Sequence, residues 1–198
     1  MPFSIAPGIP ALLLIDLQNA IDDPKWRTHG ERNNPSAEQN ITDLLQAWRA
    51  NGGAVYHVRH DSREANSPYR PKQIGNEFKS FAAPREGETV IPKDTNSAFI
   101  RTPLEALLRA AGHNSLVVCG VITNNSVEAT VRMAGNLGFQ TYLVADGCYT
   151  FARLDWYRCL RTAEEVHAMS LANLDGEYCE VVHTREILAI FERSSGVT

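Results

Sequence analysis

Residues 116–146, LVVCGVITNNSVEATVRMAGNLGFQTYLVAD, decide how this chain folds. An apolar run from Leu116 to Gly120 has strand length, and a helix-like stretch from Asn124 to Leu137 is closed by Gly138. A second apolar run follows, Thr141 to Asp146. Strand, helix and strand in succession form the unit that joins parallel neighbours in a sheet covered on both faces.

The same alternation extends outward in both directions. Upstream, strands are expected at Ala11 to Leu17 and Ala54 to Arg59, with a short one at Thr89 to Ile91. Downstream, Glu180 to His183 adds another. Helices are expected at Ser36 to Asn51, ended by Gly52-Gly53, and at Pro103 to Ala111, with proline at the first turn and Gly112 after the end. Two more are expected at Thr162 to Leu174 and Arg185 to Phe191. The pattern predicts an α/β fold with a mainly parallel six-stranded sheet between two helical layers. Residues 22–35 and 61–88 break the alternation. Each follows a strand, where open α/β sheets bind ligands, so both are candidate walls of a site.

Composition narrows the function classes. With 198 residues and 43% hydrophobic content, the chain suits one core and a single domain spanning 1–198. A net charge of -4 with both signs interleaved leaves no basic stripe, which argues against a nucleic-acid partner. The opening MPFSIAPGIPALLLIDLQ lacks a charged leader, and no apolar run approaches the roughly 20 residues of a membrane span. A soluble, cytoplasmic protein with no membrane partner is the expectation. Cys119, Cys148, Cys159 and Cys179 form no C-x-x-C pair and read as reduced, structural thiols.

Three residues stand where chemistry is placed in such folds. Asp16 ends the first strand after four aliphatic residues, a water-poor position that suits a general base or acid; a cap for the next loop is an equal alternative. Lys93 follows Val90-Ile91-Pro92 and would steady a neighbouring anion, although an isolated lysine is usually solvated. Ser126 lies at a strand-to-helix passage beside the free N–H groups of a first helical turn, which suits a nucleophile, although a serine at a helix start is more commonly a cap. The His57-Val58-Arg59-His60-Asp61 run has the residue types of a metal site, yet no H-E-x-x-H or Cys/His cluster supports it, so neither a metal nor another cofactor is implied. No G-x-S-x-G surrounds Ser126, and His167 reads as a hydrogen-bonded helix residue.

Taken together, Leu14-Ile15-Asp16-Leu17-Gln18, Ile91-Pro92-Lys93 with Ser97-Ala98-Phe99, and Gly120 to Thr130 resemble the isochorismatase-like cysteine hydrolase superfamily, over nearly the whole chain. That superfamily includes nicotinamidases, N-carbamoylsarcosine amidohydrolases, ureide hydrolases and isochorismatases. The resemblance implies a Rossmann-like fold and a triad of Asp16, Lys93 and the position of Ser126. It also implies a cis peptide between Val121 and Ile122 that aims the N–H groups of Ile122 and Ser126 at an oxyanion, and assembly as a homodimer or homotetramer. Hydrolysis of a small amide, ureide or related C–N bond is the leading expectation. Gln18, Asn19, Arg59, Phe99, Asn124 and Asn125 are expected at the substrate, with Trp26 and Tyr69 closing over it.

The chain departs from the family at position 126, where serine stands in place of cysteine. A thiol ionises near pH 8.5, while a serine hydroxyl is a far weaker acid that usually relies on a well-placed base. Three readings stay open: an amidase whose cysteine has been replaced, a C–O hydrolase in which Asp16 acts as an acid on an enol ether, and a degenerate binding member. The dianionic substrates of isochorismatases would need cationic anchors, for which Arg27, Arg59, Arg63 and Arg70 are candidates. The metal-binding nicotinamidases carry an Asp-x-His pair after the second strand; His57-Val58-Arg59-His60 here does not match it, which argues against nicotinamide.

Overall fold

The computed structural model describes residues 8–195, with side chains to residue 192. The outermost ends of the expected 1–198 domain, and most of the leader-like opening, lie outside the described residues. Six strands form one sheet in the order β3-β2-β1-β4-β5-β8: β1 (Ala11–Ile15), β2 (Val55–His60), β3 (Thr89–Lys93), β4 (Ser115–Val121), β5 (Gln140–Tyr149) and β8 (Glu180–Val182). Every neighbouring pair is parallel. Two strands that the sequence pattern did not single out, β6 (Arg153–Leu154) and β7 (Leu160–Arg161), form an antiparallel hairpin outside the sheet. They are too short and too polar to show a period-two signal.

Helices α1 (Ala37–Ala50), α2 (Leu104–Ala110), α3 (Glu128–Asn136), α4 (Ala163–Ala172) and α5 (Thr184–Ser195) complete the three layers. The reason α1 seats firmly is its spacing: Ile41, Leu44, Leu45 and Trp48 recur at helical period and are all buried. Trp48 also donates its ring N–H to Pro10 O at 2.7 Å, so its one polar atom is satisfied in the core. Helices α1 and α5 pack on each other on one face of the sheet. The β1 run Leu12-Leu13-Leu14-Ile15 is buried throughout. Each such side chain contributes roughly 1.5–3 kcal/mol, which fixes β1 at the centre of the sheet.

Strand order reverses between β1 and β4, because the chain winds from β1 outward to β3 and then returns to β4 on the other side. Crevices at the carboxyl ends of strands open at such a reversal. Close approach is required there: a Cβ on Gly120, which has φ 129°, would lie 2.3 Å from Ile15 O. Only glycine lets β4 and β1 pair at this point. The expected helix from Asn124 divides into a π-type turn over Thr123–Val127 and α3 proper, and the Val121–Ile122 peptide is cis. Among the described residues, no helix is long and apolar enough to cross a membrane.

Candidate active site

Three strand ends converge on one buried cluster. Asp16 immediately follows β1 in a left-handed conformation, φ 52°, which asparagine and aspartate tolerate better than most residues. Its N–H still donates to Val58 O at 3.0 Å, and its carbonyl accepts from Gln18 N at 2.8 Å, so the turn is held on both sides. Lys93 ends β3, and Ser126 lies in the turn that follows β4.

The Lys93 ammonium joins the other two. Nζ donates to Asp16 Oδ2 at 2.8 Å, to Ser126 Oγ at 3.2 Å and to Thr95 O at 3.1 Å. Three acceptors match its three N–H bonds. The lysine side chain is 0% exposed and the aspartate 6%, so this is an ion pair within the protein and not a solvated surface contact. Asp16 Oδ1 is buried with no hydrogen-bond partner among the described residues. An acceptor left open in the interior is costly unless another group uses it.

Asp16 and Ser126 line a cavity of about 180 Å³, with the Lys93 ammonium buried behind them. Trp26 and Tyr69, from the two irregular loops, stand on its wall with rings edge to face at 6.3 Å. Ile122, Asn125 and Asn96 also line it. His60 belongs here too, with Nδ1 3.5 Å from Lys93 Nζ. Burial holds its imidazole below the ordinary value; the Asp16 carboxylate pulls the other way, and the Lys93 ammonium adds to the lowering. At neutral pH it is an uncharged ring whose Nδ1 faces a cation. In the sequence this histidine stands out only within the H-V-R-H-D run. Its signal was position, the last residue of β2 beside the strand carrying Lys93.

Other candidates take supporting places. Gln18 is fully buried and clamps the strand end: Nε2 donates to His60 O and Asn76 O, and Oε1 accepts from His60 N at 2.7 Å. Asn19 donates to Ile74 O, tying down the same loop. Phe99 stacks on Phe139 at 5.8 Å in the core and does not line the cavity. Arg59 is held by Asp61 through two hydrogen bonds, and Asn124 accepts from Thr150 Oγ1. Asn125 alone of that group lines the cavity directly.

His57, His167 and the buried cysteines have structural surroundings. His57 pairs with Glu88 at 2.8 Å, and His167 meets Thr123 Oγ1 at 2.8 Å, bracing the turn that carries Ser126. Among the described residues, no group of three or more His, Cys, Asp or Glu side chains gathers as a metal site. All four cysteines are free thiols and none lines the cavity. Burial pushes Cys119 far up and Cys148 up to about 12, so both stay protonated and unreactive.

A model of the isochorismatase domain matches residues 10–186. A crystal structure of an isochorismatase-family protein from Chromobacterium violaceum ATCC 12472 superposes with a TM-score of 0.93 at 60% identity, covering 98% of each chain. YrdC, an isochorismatase family protein of Bacillus subtilis, is 38% identical over 181 residues, 91% of this chain and 95% of that one. The ureidoacrylate amidohydrolase RutB of Azorhizobium caulinodans is 27% identical over 183 residues, 75% of this chain and 79% of its own. The chain belongs to the isochorismatase family of hydrolases.

Proposed function

We propose that this protein hydrolyses a small amide, ureide or related C–N bond, with Asp16, Lys93 and Ser126 as the reacting groups. One observation carries the reading: Lys93 bridges Asp16 and Ser126, both of which line the cavity, while Asp16 Oδ1 is left without a hydrogen-bond partner among the described residues. Ser126 Oγ accepts from Lys93, so its own hydrogen remains to be donated, and Asp16 is the base that takes it. Oγ attacks the carbonyl carbon, and the N–H groups of Ile122 and Ser126 receive the oxyanion. Collapse returns the proton from Asp16 to the leaving amine or ammonia. Water, activated by Asp16, then releases the acyl group. The similarity to an amidohydrolase of ureidoacrylate supports C–N chemistry.

A second reading follows from the hydroxyl at position 126. If no nucleophile is needed, Asp16 acts as an acid on an enol ether, and Ser126 only lines the site. Ion pairing of Asp16 with Lys93 favours the first reading, because a paired carboxylate is the form that accepts a proton.

The test is ammonia or amine release from a panel of small amides and ureides. The Ser126→Cys variant should turn over at least one of them 10²-fold or more faster than the serine form, since a thiolate forms far more readily. Asp16→Asn and Lys93→Ala, each placed in that background, should abolish the gain. Turnover of an enol ether that survives Ser126→Ala would support the second reading. No turnover by any form would remove both.

A further inference from the structure

The cavity around Ser126 opens into a second, wider groove of about 540 Å³. Lys25, Trp26, Ile122 and Asn125 line both spaces, so the two are continuous. Beyond them the groove is walled by the β6-β7 hairpin and by Phe151, whose ring stacks on Trp26 at 6.3 Å and 23°. Its charged liners are Lys25, Arg153 and Arg158, and no aspartate or glutamate lines it.

Those cations lack carboxylate partners. Among the described residues, Arg153 and Arg158 make no side-chain ion pair or hydrogen bond, and Lys25 has only the Trp26 ring, 5.1 Å from its Nζ. Elsewhere, arginines are commonly paired: Arg27 with Glu31, Arg59 with Asp61, Arg63 with Asp94. Even within the hairpin the one aspartate, Asp155, is held by Arg161 and by the N–H groups of Tyr157 and Cys159, which leaves it unavailable to Arg158. The groove beside the hairpin is therefore cationic. The inner cavity, by contrast, is lined by the carboxylates of Asp16 and Glu64 as well as by Lys25. Of the arginines expected as anchors, Arg27, Arg59 and Arg63 are paired, and Arg70 donates to Ala65 O.

The geometry points to a substrate with two parts: a small planar amide or ureide head that fills the 180 Å³ cavity, and a carboxylate-bearing arm that lies along Trp26 and Phe151 and ends on Lys25, Arg153 and Arg158. The forked guanidinium matches a carboxylate in two parallel hydrogen bonds, and a groove with no competing carboxylate leaves that fork open. An amide with a cationic arm is excluded by the same three charges. This inference rests on the reaction taking place at Ser126, but the groove's preference for an anion is measurable without turnover.

Two measurements separate the claims. In the first, carboxylate-bearing amides and ureides, such as N-carbamoyl amino acids and monoamides of dicarboxylic acids, are compared with their methyl esters. The acids should have at least tenfold higher kcat/KM, the size of one charge-assisted bidentate contact. That ratio should fall toward one in the Arg153→Ala/Arg158→Ala double variant, shrink with added salt, and survive in Arg185→Ala, on the surface of α5. Esters cleaved as well as acids, or a ratio unmoved by the double variant, would overturn the inference and leave C–N hydrolysis standing. In the second, glutarate binding is followed by calorimetry in the Ser126→Ala protein. Binding that the double variant weakens tenfold or more upholds the anion groove even if no amide is cleaved; binding that the double variant retains refutes it.

Discussion

Lys93 divides three N–H bonds among a carboxylate, a hydroxyl and a backbone carbonyl, and that division sets what each neighbour does. Asp16 keeps one oxygen open, Ser126 keeps its proton, and Thr95 O fixes the direction of the ammonium. Gln18 performs a comparable service for the cavity wall, since its amide meets three backbone groups of His60 and Asn76. Gln18→Ala would leave those buried groups short of partners, at a cost of about 2–3 kcal/mol. Urea denaturation should show that loss; a change within about 0.5 kcal/mol, the range of an ordinary surface substitution, would contradict the clamp. Position alone left Asp16, Lys93 and Ser126 open to readings as caps or a solvated lysine; the family resemblance joined them, and the structure brings the three side chains together. Gln18 and Asn19, expected at the substrate, instead bond backbone groups of His60, Asn76 and Ile74. Whether a polar side chain faces substrate or backbone depends on loop atoms tens of residues away, which no local pattern encodes.

At the scale of elements, Glu88 ties the start of β3 to α1 and β2. Burial alone would raise its carboxyl, but hydrogen bonds from Arg49, Arg85 N and His57 outweigh this and hold it at about 2. A folded-state value below the ordinary one near 4.5 means that the unfolded chain binds the proton more readily. Stability from this group is therefore complete above about pH 4.5 and lost as pH falls toward 2. The amount is on the order of 2 kcal/mol after allowance for partial exposure. Glu88→Gln should lower stability at pH 7 and show a correspondingly shallower decline below pH 4.5; equal acid slopes would contradict the assignment. The strands and helices themselves were readable to within a few residues, because their apolar periods and terminal glycines are local. The hairpin of β6 and β7 was not, since four strand residues carry no period and their pairing is set by the turn between them.

The whole molecule places the buried Asp16-Lys93-Ser126 cluster at the reversal of strand order and a groove lined by Lys25, Arg153 and Arg158 beside the hairpin. That hairpin also carries apolar surface: Trp156, Tyr157 and Leu160 are 91%, 82% and 58% exposed, and Met169 on the adjoining α4 is 64% exposed. Covered by the same patch of a second copy, these side chains would bury roughly 1,000 Å² in all, the threshold for a specific interface. Assembly as a homodimer or homotetramer is the expected outcome. Light scattering should give a multiple of 21.9 kDa that Trp156→Ser/Tyr157→Ser reduces; a monomer mass for the unaltered chain would contradict it. The alternation of strands and helices made the three-layer architecture visible in the sequence, whereas the groove's charge was hidden, because only the folded hairpin brings Arg153 and Arg158 to Lys25. The most direct test of the central claim is mass analysis of the Ser126→Cys protein, quenched in acid during turnover of the amide that the panel identifies. A peptide carrying the substrate's acyl group on residue 126 is expected, absent when Asp16→Asn is added. Full turnover with residue 126 unmodified at every time point would contradict it.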